Sequence, residues 1–265
     1  MHPMLNIAVR AARSAGNVIT RGYENRDDLD IQSKGAHDFV TKIDKEAELT
    51  IISKIQQSFP DHSFIGEEGG KVKGNDDFTW IIDPLDGTSN FISGIPHFAV
   101  SIALIFKGKL DQAVIFDPIR GELFAATKGS GAQLNGYRLR CTKAKDLSNT
   151  ILATALPFRD KSSLNEDLAK FAKVFKDCGD VRRSGSAALD LAYVAAGRYD
   201  GYWEKGLKAW DMAAGELLVK ESGGLVTDYA GNNDPLYDEL KLAGSANGLV
   251  AGNPRVVQNI VKRLK

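Results

Sequence analysis

Residues 80–91 read Trp-Ile-Ile-Asp-Pro-Leu-Asp-Gly-Thr-Ser-Asn-Phe, and this stretch decides how the rest of the chain is interpreted. The apolar run 78–82 predicts a buried strand. Pro84 fixes one backbone angle and has no N–H group, so the strand is expected to stop there. Asp83 and Asp86 should then project from a stiff turn.

The residues that follow the two aspartates suit a phosphate group. Gly87 permits a close backbone approach, and Thr88 adds a hydroxyl. Two carboxylates at a rigid strand end, followed by small residues with backbone amides, suit a hard divalent cation that must meet a phosphate. Taken alone, the pentapeptide 83–87, Asp-Pro-Leu-Asp-Gly, is more typical of an ordinary polar turn. The rest of the chain therefore has to decide between a turn and a metal site.

Composition narrows the class of protein. A length of 265 residues allows one large domain or two closely packed halves. Equal numbers of basic and acidic residues, 34 of each, show no general nucleic-acid signature. No apolar run approaches a membrane span and no signal-peptide pattern opens the chain, which predicts a cytoplasmic location without membrane contact. The few cysteines and histidines are scattered, so any metal is expected on oxygen ligands.

Periodicity predicts the elements of the N-terminal half. A first helix is expected to end at Gly22, and the polar stretch 24–38 is interpreted as a loop. Thr41 and Asp44 have the spacing of a capping box, which opens a second helix that ends at Pro60.

The remaining chain alternates between patterns. Apolar runs at 98–106, 110–116 and 122–127 with short connections predict an antiparallel meander, followed by a loop over 129–136. Layers of helix and sheet are the expected result. Helices are predicted at 164–175, 187–196, 209–222 and 254–264, and strands at 151–155, 201–204, 225–227 and 249–251.

A second constellation begins at Trp210. Asp211 opens a helix made thin by Ala213, Ala214 and Gly215, which lets its first turn approach another element closely. Aspartate is also a favoured helix N-cap, so a purely structural role fits equally well. On the functional interpretation, Asp211 meets the Asp83 turn and completes a metal site.

Together these motifs resemble the signatures of the inositol monophosphatase family of magnesium-dependent, lithium-sensitive phosphatases. The resemblance rests on 80–91 and 210–215, and the segments 38–44, 66–68 and 185–188 also fit. Two long motifs in the right order make accidental agreement improbable, and the resemblance runs over essentially the whole length.

The resemblance implies a fold of the α+β/α/β class, a layered αβαβα sandwich of the inositol monophosphatase and sugar phosphatase type. It implies one domain over 1–265. An N-terminal α+β half, about 1–145, would hold most metal ligands. A C-terminal α/β half, about 146–265, would supply Asp211 and the substrate contacts.

The resemblance also implies roles for individual residues. Asp44 and Thr88 would orient the attacking water, with Glu67 as a further catalytic residue. Asp44 also has a capping task, and Glu204 is equally compatible with a surface acid. The ligands of two or three Mg²⁺ ions would be Glu67, Asp83, the Leu85 carbonyl, Asp86 and Asp211. The substrate contacts would be Asp86, Gly87, Thr88, Gly185, Ser186, Ala187, Glu204 and Asp211.

The implied activity is hydrolysis of inositol 1-phosphate, or of a similar small sugar or polyol phosphate, by metal-activated water in a homodimer. Two alternatives stay open. One is a fructose-1,6-bisphosphatase or a nucleotide bisphosphatase on the same scaffold. The other is a non-catalytic protein partner of the transcription antitermination and ribosomal RNA synthesis machinery, a role associated with the bacterial subfamily that segments 183–198 and 249–255 resemble most. Arg182 and Arg183 would be the first candidates for such contacts.

Overall fold

The computed structural model describes residues 2–25, 31–35, 38–156, 161–233 and 248–265. Its helices are α1 (Pro3–Glu24), α2 (Lys42–Gln56), α3 (Thr88–Ile92), α4 (Leu164–Phe175), α5 (Ala187–Ala195), α6 (Ala209–Glu221) and α7 (Pro254–Leu264). Its strands are β1 (Ile31–Gly35), β2 (Asp38–Thr41), β3 (His62–Gly66), β4 (Gly70–Val72), β5 (Asn75–Asp86), β6 (Ala99–Phe106), β7 (Lys109–Asp117), β8 (Glu122–Thr127), β9 (Gly131–Leu134), β10 (Tyr137–Arg138), β11 (Ile151–Thr154), β12 (Asp180–Arg182), β13 (Gly201–Glu204), β14 (Leu225–Thr227) and β15 (Leu249–Gly252).

The strands form two large sheets and one small pair, β1–β2. The first sheet has eight strands in the order β10-β9-β8-β7-β6-β5-β3-β4. Strands β5 to β10 are joined antiparallel, which confirms the predicted meander, whereas β3 lies parallel to β5. The second sheet has five strands in the order β12-β11-β13-β15-β14. Its β11 is parallel to both neighbours, and β15 is antiparallel to β13 and β14.

Three apolar cores separate the layers. Trp80 and Ile82 point from the first sheet toward α1 and α2, whereas Ile81 between them points to the opposite core, as the two-residue period of a strand requires. That middle core holds α5 and α6 between the two sheets. The outer face of the second sheet packs Leu152 and Trp203 against α4 and α7. The order helix, sheet, helix, sheet, helix confirms the predicted αβαβα sandwich.

Strand β5 runs past the proline that was expected to end it. The prediction is wrong because the strand continues to Asp86 through an irregularity, in which Asp83 pairs with Ser101 and Asp86 pairs with Ala99. Three steps along β5 therefore face two along β6, which is a β-bulge. Pro84 is accommodated inside this bulge, where no ladder hydrogen bond is required from it. The bulge separates the two aspartates while both stay in the sheet.

The N-terminal predictions need two further corrections. Helix α1 continues past Gly22 to Glu24. A Cβ atom at Gly22 would lie 2.8 Å from the Ile43 side chain, so the glycine serves the contact between α1 and α2. Within the stretch interpreted as a loop, β1 pairs with β2, while 26–30 and 36–37 lie outside the described residues. The polar sequence of β1 lacks the alternation that would have revealed it.

The expected loop over 129–136 is also partly regular. Strand β9 pairs with β8 and extends the meander, and β10 beyond it is the edge strand. Three short strands, β4, β10 and β12, were not predicted because each has only two or three residues and includes a charged one, so no apolar run marks it. Among the described residues, no helix is both long and apolar enough to span a membrane.

Helix α6 packs unusually close to α5. A Cβ atom at Gly215 would lie 2.5 Å from Leu191 Cβ. An exposed helical Gly→Ala change stabilises by about 0.5–1 kcal/mol, but overpacking a core costs about 1–3 kcal/mol. We expect Gly215→Ala to lower the free energy of unfolding by about 1–3 kcal/mol in urea denaturation. An increase in stability would show that the helices are not in this contact.

Candidate active site

One cavity of about 470 Å³ opens where the ends of β3, β5 and β13 meet the first turns of α5 and α6. Its walls contain all the predicted site residues except Asp44, which lies just behind Thr88. The predicted residues that line it are Glu67, Asp83, Leu85, Asp86, Gly87, Thr88, Gly185, Ser186, Ala187, Glu204 and Asp211.

The parallel pairing of β3 and β5 places Glu67 beside the aspartates. Gly66 at the end of β3 pairs with Ile82, and the Glu67 N–H donates to the Ile82 carbonyl at 3.2 Å. Asp83 follows directly and is 1% exposed. Its Oδ1 accepts a hydrogen bond from the Leu85 N–H at 3.0 Å, which fixes the carboxylate against the bulge.

Asp211 reaches the same place through the start of α6. Ser101 pairs with Asp83 across the sheet, and its Oγ donates to the Trp210 carbonyl at 3.2 Å. Asp211 is not the N-cap, because α6 already begins at Ala209. Its Oδ2 instead accepts from the Lys208 N–H at 2.6 Å. The hydrogen bond from Ser101 thus holds the start of α6, with Asp211, close to Asp83.

The Asp86 carboxylate joins β5 to α5. Its Oδ2 accepts from Ser186 Oγ at 2.5 Å and from the Ala188 N–H at 2.7 Å. Ser186 is also the N-cap of α5, and its Oγ accepts from the Leu189 N–H at 3.3 Å. A negative group at this position is favourable because the first amides of a helix point toward it.

Asn90 was not predicted as a site residue, yet it ties two cavity walls together. Its Nδ2 donates to the Ser184 carbonyl at 2.9 Å and to the His97 carbonyl at 2.8 Å. Gly185 has φ of 88°, and a Cβ atom there would lie 3.1 Å from Asn90 Nδ2. Gly185 therefore combines a backbone angle that favours glycine with a close approach.

Asp44 serves the capping box and contacts the site. Its Oδ2 accepts from the Thr41 N–H at 2.8 Å and from Thr41 Oγ1 at 2.6 Å, which confirms the capping box. Its Oδ1 lies 3.2 Å from Thr88 Oγ1, and that hydroxyl is also 3.1 Å from the Leu85 carbonyl. Burial raises the pKa of Asp44, and the hydrogen bonds from Thr41 and Thr88 oppose that rise.

The acids of the cavity repel one another. Burial raises the pKa of Asp83 well above its usual range, and the charges of Glu67, Asp86 and Asp211 raise it further. Burial and the charges of Asp86, Glu67 and Glu204 raise the pKa of Asp211 in the same way, against the hydrogen bond from Lys208. A concentration of buried carboxylates fits a hard cation, which would neutralise it.

The cavity residues fit a Mg²⁺ ion by the chemistry of their donor atoms, and not by a coordination geometry that is already formed. Among the residues that the structure describes, no three His, Cys, Asp or Glu side chains are spaced to close around a metal ion. Asp83, Asp86 and Asp211 instead each hold a hydrogen bond from a backbone amide. Glu67, Asp83, Leu85, Asp86 and Asp211 nevertheless line one cavity with oxygen ligands of the kind that Mg²⁺ prefers.

A second acidic pair lines the opposite wall. Glu204 at the end of β13 accepts a hydrogen bond from the Tyr202 hydroxyl. Asp190 on α5 is 2% exposed, and its Oδ1 has no hydrogen-bond partner among the described atoms. Burial and the charges of Glu204 and Asp86 raise the pKa of Asp190 well above its usual range, against a hydrogen bond from Ser184. Asp190 was not predicted as a site residue. The signal that could have indicated it is an acid inside the apolar run of α5.

The raised pKa of Asp190 predicts a pH-dependent stability. The folded state holds the proton more tightly, so stability decreases as pH rises above the unfolded pKa of about 3.9. Asp190→Asn removes this pH-dependent loss of stability, because asparagine carries no titratable proton. We expect its free energy of unfolding to exceed that of the parent at pH 7.5 and to converge with it near pH 4, in urea denaturation without divalent cations. A lower stability than the parent at pH 7.5 would contradict this.

The two arginines proposed for protein contacts have different environments. Arg182 is exposed and pairs with Asp180 on the same strand. Exposed pairs of this kind contribute little to stability. Arg183 is exposed at the rim of the cavity, which places it near both the site and the outer surface.

Comparisons with known proteins place nearly the whole chain in one family. A profile of the inositol monophosphatase family matches residues 1–264. The Nus factor SuhB of Escherichia coli K12 is 55% identical over 266 residues, covering 100% of this chain and 97% of the relative.

Two solved structures are similar over nearly the whole chain. The extragenic suppressor protein SuhB from Bartonella henselae is 40% identical with a TM-score of 0.93, covering 100% of this chain and 99% of that chain. The inositol monophosphatase from Anabaena is 35% identical with a TM-score of 0.82, covering 98% of this chain and 94% of that chain.

Proposed function

Because this chain belongs to the inositol monophosphatase family, we propose that it is a magnesium-dependent phosphomonoesterase that hydrolyses inositol 1-phosphate or a similar small sugar or polyol phosphate. The observation that carries the proposal is the meeting of Glu67, Asp83, Asp86 and Asp211 around one cavity. The family supports a phosphatase, and the cavity chemistry supports a cation-dependent one.

Glu67, Asp83, the Leu85 carbonyl, Asp86 and Asp211 would hold two or three Mg²⁺ ions. When bound, Mg²⁺ supplies charge neutralisation for the phosphoryl oxygens and the leaving oxygen and lowers the pKa of a coordinated water. The mutual repulsion of these carboxylates supports the assignment, because cation binding would relieve it.

The chain itself would position water and phosphate. The Asp44 carboxylate and Thr88 hydroxyl lie 3.2 Å apart, and together they would orient the attacking water and accept its proton. The backbone amides of Gly87 and Thr88 would donate to the phosphate oxygens. Gly87 has φ of 97°, and a Cβ atom there would lie 3.0 Å from the His97 carbonyl, so a side chain would crowd this turn. Phosphoryl transfer depends mainly on such positioning and on charge.

The opposite wall would bind the alcohol part of the substrate. Gly185, Ser186, Ala187 and Glu204 would lie along its ring, with Asp211 near its hydroxyls. The cavity volume is within the usual range for small-molecule sites. Hydroxyl-rich rings suit acidic walls because carboxylates accept hydrogen bonds from hydroxyl donors.

A substrate panel tests the proposal. Phosphate release would be measured with inositol 1-phosphate, fructose 1,6-bisphosphate and 3′-phosphoadenosine 5′-phosphate, each with Mg²⁺ and with a chelator. We expect Mg²⁺-dependent release, greatest with inositol 1-phosphate, and inhibition by lithium. Preference for either bisphosphate would establish the alternative enzyme class, and no Mg²⁺-dependent release from any of them would contradict the phosphatase.

A second candidate function follows from one observation: a relative that is 55% identical over 266 residues is the Nus factor SuhB of Escherichia coli K12. We propose as this alternative that the chain acts, as a homodimer, by binding the transcription antitermination machinery through Arg182, Arg183 and neighbouring surface residues. Cells that carry Asp83→Asn would be compared with cells that lack the protein. The same growth defect in both supports the enzyme, and a defect in the deletion alone supports the protein contact.

A further inference from the structure

Glu48 is a buried acid that lies beneath the loop carrying Glu67. It is on α2, 3% exposed, and four residues after Asp44, so the two side chains share one face of the helix. Its Oε2 accepts from the Glu68 N–H at 3.0 Å, and its Oε1 accepts from the Gly69 N–H at 2.6 Å. Both carboxylate oxygens thus bind consecutive amides of one loop.

The glycines of this loop provide independent support. A Cβ atom at Gly66 would lie 2.2 Å from Glu48 Oε2, and one at Gly69 would lie 2.6 Å from Glu48 Oε1. Neither glycine is among those with positive φ. Their lack of a side chain is therefore explained by the room that the carboxylate needs, and not by an unusual backbone angle.

We propose that Glu48 is a positioning residue of the active site, which fixes the 66–69 loop so that the Glu67 carboxylate stays beside Asp83. Two hydrogen bonds from consecutive amides to one buried side chain restrain the loop at two neighbouring points. Glu67 lies between Gly66, which pairs with Ile82 in the sheet, and Glu68, whose amide binds Glu48, so its backbone is held on both sides. This inference rests on the proposed function, because Glu67 is there a cation ligand.

The primary test uses Glu48→Gln and a Mn²⁺ titration followed by electron paramagnetic resonance, which needs no turnover. The amide side chain has one acceptor oxygen, and its NH₂ group faces a backbone N–H, so one loop bond is lost. We expect the Mn²⁺ dissociation constant to rise by about 10- to 100-fold, as for other residues that orient metal ligands. Glu46→Gln is the matched control, because Glu46 is an exposed acid on the same helix.

A second experiment approaches the contact from the loop. Gly69→Ala places a methyl group against the carboxylate, so it should weaken Mn²⁺ binding in the parent. In a Glu48→Ala background, which itself binds Mn²⁺ weakly, the same change should have no further effect because the clashing oxygen is gone. Amide hydrogen exchange of residues 66–72 should be faster in Glu48→Gln than in the parent. Exchange in the peptides of α2 should be unchanged.

The outcomes separate this inference from the proposed function. An unchanged Mn²⁺ dissociation constant in both Glu48→Gln and Gly69→Ala overturns the positioning role while Asp83→Asn still abolishes binding. If Asp83→Asn also binds Mn²⁺ normally, the cation site itself is rejected. Should Glu48→Gln fail to fold, the Mn²⁺ affinity of Gly69→Ala in the parent decides alone. Where Glu48→Ala folds, additive effects of Gly69→Ala and Glu48→Ala overturn the direct contact.

Discussion

Asp83→Asn is expected to reduce phosphate release by at least about 10²- to 10³-fold at saturating Mg²⁺, because it removes a charge from the centre of the cation site. The fold should survive the change. The asparagine Oδ1 can still accept the hydrogen bond from the Leu85 N–H, now 3.0 Å from the carboxylate. Steady-state kinetics with inositol 1-phosphate would measure the loss.

The same substitution should leave the cation-free protein at least as stable as the parent. Burial and the charges of Glu67, Asp86 and Asp211 raise the pKa of Asp83, so its ionised form destabilises the folded state at neutral pH. Asp77→Asn is the control, because Asp77 is exposed on the same strand. Near-normal activity of Asp83→Asn, or a marked loss of cation-free stability, would refute the assignment.

Asp44→Asn is expected to lower kcat by about 10²- to 10⁴-fold, the usual contribution of a positioned acid or base. The asparagine cannot accept a proton from water beside Thr88. The capping box loses part of its hydrogen bonding, which costs about 1 kcal/mol, but removing a carboxylate whose pKa is raised by burial acts in the opposite direction, so the net decrease in the free energy of unfolding should be smaller than that. Steady-state kinetics and urea denaturation would be run on the same preparation.

Thr41→Ala distinguishes catalysis from capping. It removes the hydroxyl that donates to Asp44 Oδ2 at 2.6 Å and caps the Ile43 N–H at 3.1 Å, yet it keeps the carboxylate. Its free energy of unfolding should decrease by about 1 kcal/mol, and its kcat should decrease far less than that of Asp44→Asn. Equal losses of kcat in the two variants would mean that Asp44 acts only through the helix.

Local patterns predicted most of the elements. The boundaries of α4, β13 and α7 agree with the predicted ranges, because helical periodicity and terminal residues act over a few positions. The spacing of Thr41 and Asp44 also predicted the capping box of α2 correctly. Besides the strands whose own pattern is too weak, the failures came where a longer-range partner decided the outcome. Strand β5 passes Pro84 because β6 tolerates a bulge there, and α1 passes Gly22 because α2 packs against it.

The supporting residues of the site were mostly invisible in the sequence. Asn90 binds a carbonyl 94 positions away, and Ser101 binds one 109 positions away. Glu48 resembles any helical glutamate until the loop above it is known. All three residues act through hydrogen bonds whose partners are set by sheet register and helix packing. Such bonds leave no periodic signal in the sequence.

By itself the sequence determined the chemical inventory of this protein: Asp83 and Asp86 in the first motif, Asp211 in the second and Glu67 in the segment 66–68, on elements whose type follows from local periodicity. Only the tertiary structure decided that Asp211 meets Asp83, because α6 packs against the first sheet in the middle core and the Ser101 hydroxyl binds the Trp210 carbonyl. Hydrophobic layering buries the acids together although their charges oppose it, since apolar burial over three cores outweighs one local repulsion.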